Sequence, residues 1–256
     1  MKKGLRILLS NDDGIRSPGL KSLERIARTL SRDVWIVAPE TEQSGASHSL
    51  TLHEPLRIRR LSPRRFAVRG TPTDCVMLAI HHIIRGRRPS LVLSGVNRGG
   101  NIGDDVTYSG TIAAAMEGAI LGVPSIALSQ VVQGNHAVKW ATAEHHGPGL
   151  LRQLLATGWP PEVLINVNFP DVAQTAVRGV AVAVQGRRDV SDLLIEDRLD
   201  TRGVPYYWLG FRRHEGPPPK RHTDMAAIAE GRISVTPLKL DLTDSRTRRS
   251  LGKVLS

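Results

Sequence analysis

The sequence predicts an α/β fold, a Rossmann-like, doubly wound, mostly parallel sheet with a C-terminal β-rich extension or hairpin. Three observations predict it. Short apolar runs such as "ILLS", "WIVA", "LVLS", "IALS" and "LINV" recur with helical patterns between them, as strands buried on both faces require. Polar segments follow those runs on their carboxyl side. From about residue 176 the pattern changes to β-like segments, "GVAVAVQG" and "YYWLGF". The 256 residues are therefore read as one domain, with a core over about 1–175 and the extension over about 176–256.

Leu5 to Ser10 reads as a buried strand. Ser17 caps and Pro18 opens a helix whose Leu20, Leu23, Ile26, Ala27 and Leu30 share one face. "DVWIVAP" is the second strand, closed by Pro39, and "LTLHEPLRIRRL" with "RFAVRG" is patterned like an antiparallel insert. Thr71 caps a helix that has Pro72 at its first position and Asp74 in its first turn, running through "DCVMLAIHHII". "SLVLSG", "GTIAAAMEGAILG" and "PSIALS" read as strand, helix and strand, and a helical stretch around "HAVKWATAEHH" precedes the strand "VLINVNFP". In the extension a polar stretch, "RRDVSDLLIEDRLDTRGVP", separates the β-segments. "TDMAAIAEGRISVTPL" reads as a helix and a final strand, and "DSRTRRSLGKVLS" as a basic, poorly ordered tail.

The hydrophobic content is 40% but only 4% of residues are aromatic, so the core is built from Ile, Leu, Val and Ala. No apolar run approaches the roughly 18 residues that cross a bilayer, and the basic start leads into a strand without a cleavage site. The lone Cys75 excludes an intrachain disulfide and a thiolate metal cluster, and reads as a core residue. A cytoplasmic protein is expected, with no membrane partner. The net charge of +11 and pI near 10.6 invite a polyanion partner. The charge is dispersed, however, over Arg57, Arg59, Arg60, Arg64, Arg65, Arg85, Arg87 and Arg88 near strand ends and loops. Lacking a stacking platform or a reading motif, the sequence does not point to nucleic acid. A non-catalytic basic protein that binds nucleic acid or nucleotides is the alternative reading.

In an open parallel sheet, ligands bind beyond the carboxyl ends of the strands, where "NDDG", "PETEQSGASHS", "GTPTD" and "GVNRGGNIGDDVTYSGT" fall. "NDDG" taken alone reads equally as a turn. It also sets Asp12 and Asp13 side by side, a site for a hard divalent cation that cancels their repulsion. Ser44 and Asn97 offer neutral oxygens from other loops, and an all-oxygen set favours Mg²⁺ or Mn²⁺ over Zn²⁺. The histidines have no zinc spacing; His81 and His82 read as helix surface, and His48 is considered for an acid or substrate contact. Ser109, Gly110 and Thr111 open a helix, where free N–H groups favour a phosphate, although an ordinary Ser/Thr cap explains the same segment. The sequence contains no Walker A, Gly-x-Ser-x-Gly or Asp-x-Asp motif, and its glycines do not form the dinucleotide fingerprint after a strand.

Together "ILLSNDDGIRSPGL", "VAPETEQSGASHSLTL", "GTPTDC", "LVLSGVNRGGNIGDDVTYSGTIAAAMEG", "PSIALS", "LINVNFP" and "ISVTPL" resemble, in order, the SurE family, the survival-protein-E type of 5′-nucleotidase. The resemblance implies a metal-dependent phosphomonoesterase for nucleoside 5′-monophosphates, in many members also 3′-monophosphates and in some short polyphosphate. It implies Asp12, Asp13, Ser44 and Asn97 as ligands of one divalent ion per subunit, with the two acids catalytic. It implies phosphate contacts from Asn101 or Asn97 and from Ser109, Gly110 and Thr111. It also implies homodimers or tetramers built through the C-terminal extension. Glu40, Gln43 and Arg232 depart from the family's common residues, and none of them is an implied ligand.

Overall fold

Consecutive apolar residues need cover on both faces, and Ile7, Leu8 and Leu9 obtain it as β1 (Arg6–Ser10), buried inside a sheet. The computed structural model describes residues 4–187, 193–211 and 219–255. Helix α1 (Pro18–Arg28) leads to β2 (Asp33–Pro39), then to β3 (Arg57–Ser62) and β4 (Arg65–Arg69). Helix α2 (Pro72–Leu78) widens into one looser turn over Ala79–Ile83 before β5 (Leu91–Arg98). Helix α3 (Gly110–Ile120), β6 (Ser125–Gln130), α4 (Trp140–Thr157) and β7 (Val163–Phe169) complete the alternating part. Beyond it lie β8 (Val180–Val182), β9 (Leu193–Leu199), β10 (Pro205–Phe211), α5 (Asp224–Ala229), β11 (Ile233–Lys239) and α6 (Ser245–Leu255).

Nine strands form one sheet in the order β3-β4-β2-β1-β5-β6-β7-β11-β8. The six from β4 to β7 run parallel; β3 and β11 run antiparallel to β4 and β7, and β8 pairs parallel with β11. The chain winds outward from β1 in one direction through β2 and β4, and in the other through β5, β6 and β7. The loops after β1 and β5 therefore part company, and a crevice opens between them.

The alternation of β1 sorts the core into two layers. Ile7 and Leu9 pack with Leu20, Leu23 and Ile26 of α1 and Leu151 of α4. Leu8 packs on the opposite face with Cys75 and Val76 of α2 and Ala114 of α3. Both predicted caps form: Ser17 accepts from the Leu20 amide at 3.2 Å, and Thr71 accepts from Asp74 N while the Asp74 carboxylate accepts from Thr71 N.

Several elements differ from expectation. The pair β3–β4 is no insert: β4 lies parallel beside β2, and β3 is the outer edge. Its predicted start, Leu50 to Leu56, lies outside the strand, and Leu52 is exposed. The polar stretch of the extension contains β9, which pairs with β10 as a separate hairpin; residues 188–192 of that stretch lie outside the described residues. Strand β11 inserts beside β7, so the extension completes the core sheet. Helix α4 runs on through Pro148 to Thr157, because Leu150 and Leu151 extend its buried face. The tail is helical as α6, whose 11 residues carry no carboxylate and set Leu251, Val254 and Leu255 opposite Arg246, Arg249 and Lys253. Among the described residues no helix is long and apolar enough to cross a membrane.

Gly19 is where α1 meets β5: a Cβ there would stand 1.9 Å from the Val96 carbonyl oxygen and 3.1 Å from the Trp140 ring. A backbone atom cannot swing away. Gly19→Ala should cost about 3 kcal/mol, a fall of roughly 6–12 °C in melting temperature by far-UV circular dichroism. A shift below about 2 °C would show that helix and strand are not in this contact.

Candidate active site at the strand switch

Asp12 and Asp13 stand where β1 ends and the winding reverses. The turn that carries them is tied down by its neighbours. The Asn11 amide donates to Gly14 O at 3.1 Å and to Ser17 Oγ at 2.8 Å, joining the turn to the cap of α1. Ile15 N donates to Pro39 O and Gln43 N to Asp12 O, both at 2.8 Å, which binds the loop after β2 to the same turn.

Asp12 is almost wholly buried, and its Oδ1 accepts from the Thr111 hydroxyl at 2.5 Å. Gly110 lets α3 come this close, since a Cβ there would lie 2.8 Å from Asp12 Cβ and 3.1 Å from Oδ2. The anion that the N-terminus of α3 faces is thus the Asp12 carboxylate itself. Asp13 is half-buried, and its Oδ2 accepts from Arg98 N at 3.3 Å, reaching the end of β5.

Neither acid forms a salt bridge among the described residues. Burial chiefly, with smaller relief from the Thr111 hydroxyl and backbone amides, raises the Asp12 carboxyl above its ordinary value. Burial first and the neighbouring Asp12 charge second push Asp13 from 3.8 up to about 6. The Glu42 carboxylate adds to both shifts. The Arg98 amide and charge offset only part of the Asp13 shift, and two adjoining carboxylates without a salt-bridge partner suit a hard cation.

The neutral oxygens fall unevenly around this pair. Asn97, at the end of β5, donates its amide to Gly99 O at 3.1 Å, which leaves Oδ1 for another partner. Ser44 is exposed and donates to Glu42 at 2.8 Å, one residue beyond the Gln43–Asp12 bond. Ser109 caps α3 by accepting from Ile112 N at 3.0 Å. Asn101 is occupied with the framework: its amide donates to Ser129 Oγ at 2.8 Å, and its carbonyl accepts from Asn166 at 2.7 Å and Asn168 at 3.1 Å. His48 stands apart, its Nε2 3.0 Å from the Glu117 carboxylate. Glu117 lies seven residues into α3 from Gly110, about 10 Å along the axis.

Sequence reasoning missed the polar brackets behind the site. Asn166, Asn168 and Ser129 are buried and hold the Asn101 loop. Their signal was legible as two asparagines on one face of the otherwise apolar strand "LINVNF". Asp224 is fully buried and accepts from the amides of Gly103 at 2.9 Å and of Gly186 and Met225 at 2.8 Å, tying the loop after β5 to the extension. Glu42 was read only as part of a loop.

The raised acids fix a sign for pH. A group with a folded value near 6 and an ordinary value of 3.8 favours folding while protonated, and that stability is lost as pH rises from about 4 to 6. Asp13→Asn should therefore raise the melting temperature of chelator-treated protein at about pH 7.5, by an amount that shrinks toward about pH 4.5. A variant less stable than the parent at the higher pH would show that the charge is already compensated.

The family model described as survival protein SurE matches residues 7–192. The 5′-nucleotidase SurE of Parvibaculum lavamentivorans is 60% identical over 255 residues, covering 99% of this chain and 92% of that protein. That of Paramagnetospirillum magneticum is 58% identical over 247 residues, covering 96% of this chain and 94% of the other. The crystal structure of the SurE protein from Aquifex aeolicus superposes with a TM-score of 0.83 at 38% identity, over 98% of this chain and 100% of that one. With its fold and nearly its full length shared with these proteins, the chain belongs to the SurE family.

Proposed function

We propose that this chain is a 5′-nucleotidase, a phosphomonoesterase that hydrolyses nucleoside 5′-monophosphates to nucleoside and phosphate. The observation that carries it is the pair of buried, uncompensated carboxylates at the strand switch, in a chain 60% identical to a protein named 5′-nucleotidase SurE. Nucleoside 3′-monophosphates and short polyphosphate present the same terminal phosphoryl group and belong to the proposed range.

Asp12, Asp13, Ser44 and Asn97 would hold one divalent ion, Mg²⁺ or Mn²⁺. Such an ion, when bound, supplies charge neutralisation at the phosphoryl oxygens and lowers the pKa of a coordinated water. The residues do the positioning. Thr111 fixes the Asp12 carboxylate by donating its hydroxyl to Oδ1, which would leave Oδ2 for the ion. Arg98 N fixes Asp13 Oδ2, leaving Oδ1 to orient the attacking water and receive its proton. The Gly110 amide and the Ser109 hydroxyl hydrogen, at the start of α3, would donate to a phosphoryl oxygen. Asn101 positions the intervening loop. His48, held by Glu117, receives no role in this scheme.

The chain is read as one domain with the extension after residue 176 pairing subunits into dimers or tetramers. The hairpin β9–β10 supports that, since Ile195, Tyr207, Trp208 and Leu209 are exposed together on it. A single, buried cysteine suits the reducing cytoplasm.

Phosphate release from AMP in Mn²⁺ tests the reading. Release should fall to background in EDTA and in Asp12→Asn, while Thr111→Val should retain the fold and lose about 10–100-fold. Turnover that survives both chelation and Asp12→Asn would overturn the assignment.

A further inference from the structure

At the amino ends of the strands, remote from Asp12, a groove of about 380 Å³ opens between β2, the β3–β4 hairpin and the turn that follows α2. Its floor is aromatic. The rings of Trp35 and Phe66 lie 6.3 Å apart between centroids, with planes 4° from parallel. Its sides carry Arg60, His82 and Arg85 beside Ile58, and no lining residue is acidic.

Arg60 and Arg85 are not consumed by neighbouring acids. Asp33 is taken by Arg6, Arg64 and Arg87; Glu40 pairs with Arg59 and Glu24 with Arg65. Arg60 and Arg85 form no salt bridge among the described residues. The guanidinium groups of Arg6 and Arg64 stand 5.8 and 5.9 Å from the Trp35 ring centroid, and the Asp33 carboxylate that pairs with both also accepts from Trp35 Nε1 at 3.1 Å, which fixes the ring.

Flat rings below and cations along the rim match a strand of bases joined by phosphates, because every base offers a face for stacking and every linkage offers one charge. Two rings and two arginines without acidic partners offer more than one base and one phosphate can use. We propose that this groove binds single-stranded nucleic acid, with bases on Trp35 and Phe66 and phosphodiesters against Arg60 and Arg85. The pairing of β2 with β4 assembles the floor by setting Val37 beside Phe66, two residues from Trp35 on the same face of β2. The site stands apart from the acids at the carboxyl ends, and it does not rest on the phosphatase reading.

The test is fluorescence anisotropy with a labelled oligothymidylate of about 12 nucleotides, using the full chain in EDTA so that hydrolysis is silent. The parent and Asp12→Asn should bind equally. The doubly reversed variant, Arg60→Glu with Arg85→Glu, should bind at least about tenfold more weakly and show a shallower salt dependence. AMP hydrolysis by that variant, assayed separately with Mn²⁺, should match the parent, and a matching circular dichroism melt checks its fold. If the reversals lower the melting temperature, Arg60→Gln with Arg85→Gln takes their place. Oligothymidylate should also quench tryptophan emission in the parent, and the quench should shrink in Trp35→Phe, which keeps a stacking ring. Unchanged affinity in both arginine variants would overturn the proposal. So would displacement by inorganic polyphosphate of equal charge with no Trp35 quench, which would reduce the groove to a charge-only surface. Loss of binding in Asp12→Asn would move the strand to the crevice and overturn it as well.

Discussion

A carboxylate taken out of water with no counter-charge is the constraint around which this molecule's crevice is arranged. Asp12 stands two residues beyond the end of β1, at the middle of the winding, and is almost wholly buried. Ionising it there costs free energy that a hydroxyl and a few amides recover only in part. The fold concentrates its exceptional geometry on that residue. Gly110 gives up a side chain so that a helix can abut the acid, Thr111 turns its hydroxyl inward, and Gln43 clamps the backbone from the loop after β2. Removing any of these leaves the charge less well held. None of them neutralises it.

Such a group stays in place only if the surrounding loops are rigid, and the rigidity comes from polar residues buried well away from the acids. Asn166 and Asn168 project from β7 and hold the carbonyl and amide of Asn101. Asp224 grips Gly103 from the start of α5. Each replaces lost water contacts of a buried backbone segment with hydrogen bonds of fixed geometry. Gly103 follows the Asn97–Asn101 loop, so the C-terminal extension braces one wall of the crevice as well as completing the sheet through β11. Strand β11 and Asp224 thus tie that part of the extension to the core behind the site.

What could be read from the sequence follows how local its cause is. Ser17–Pro18 and Thr71–Pro72–Asp74 announce helix starts because capping acts within three residues, and both helices begin there. The apolar runs announce buried strands because burial on both faces leaves no other pattern. The placement of Asp12 and Asp13 at a strand end needed only that rule. Pairing across long separations left no local trace. The direction of β4 depends on β2, some 30 residues earlier, and the first strand of the outer hairpin is hidden among charges because both of its faces meet solvent. Helix α6 has the same difficulty, since few apolar residues mark it. His48 shows the limit for sites: nothing near it in sequence reveals that Glu117 holds it.

The two ends of the sheet also account for a basic protein with an acidic crevice. Arg6, Arg64 and Arg85 gather at the amino ends of the strands, while Asp12, Asp13 and Glu42 gather at the carboxyl ends. The five residues of β1 separate the two groups, a distance of about 17 Å at the rise of an extended strand. The screening length at physiological ionic strength is about 8 Å, so the arginines raise the potential that an approaching anion meets but do little for the acids. Arg98 lies closer, and its amide and its charge both favour ionised Asp13, yet burial and the Asp12 charge outweigh them and Asp13 remains raised to about 6. A phosphate drawn in by the molecule's overall charge would meet two like charges at the crevice. The charge that reconciles them has to sit within a few ångströms of both acids, which is why the proposed chemistry turns on a cation bound between loops and not on the protein's own basic side chains.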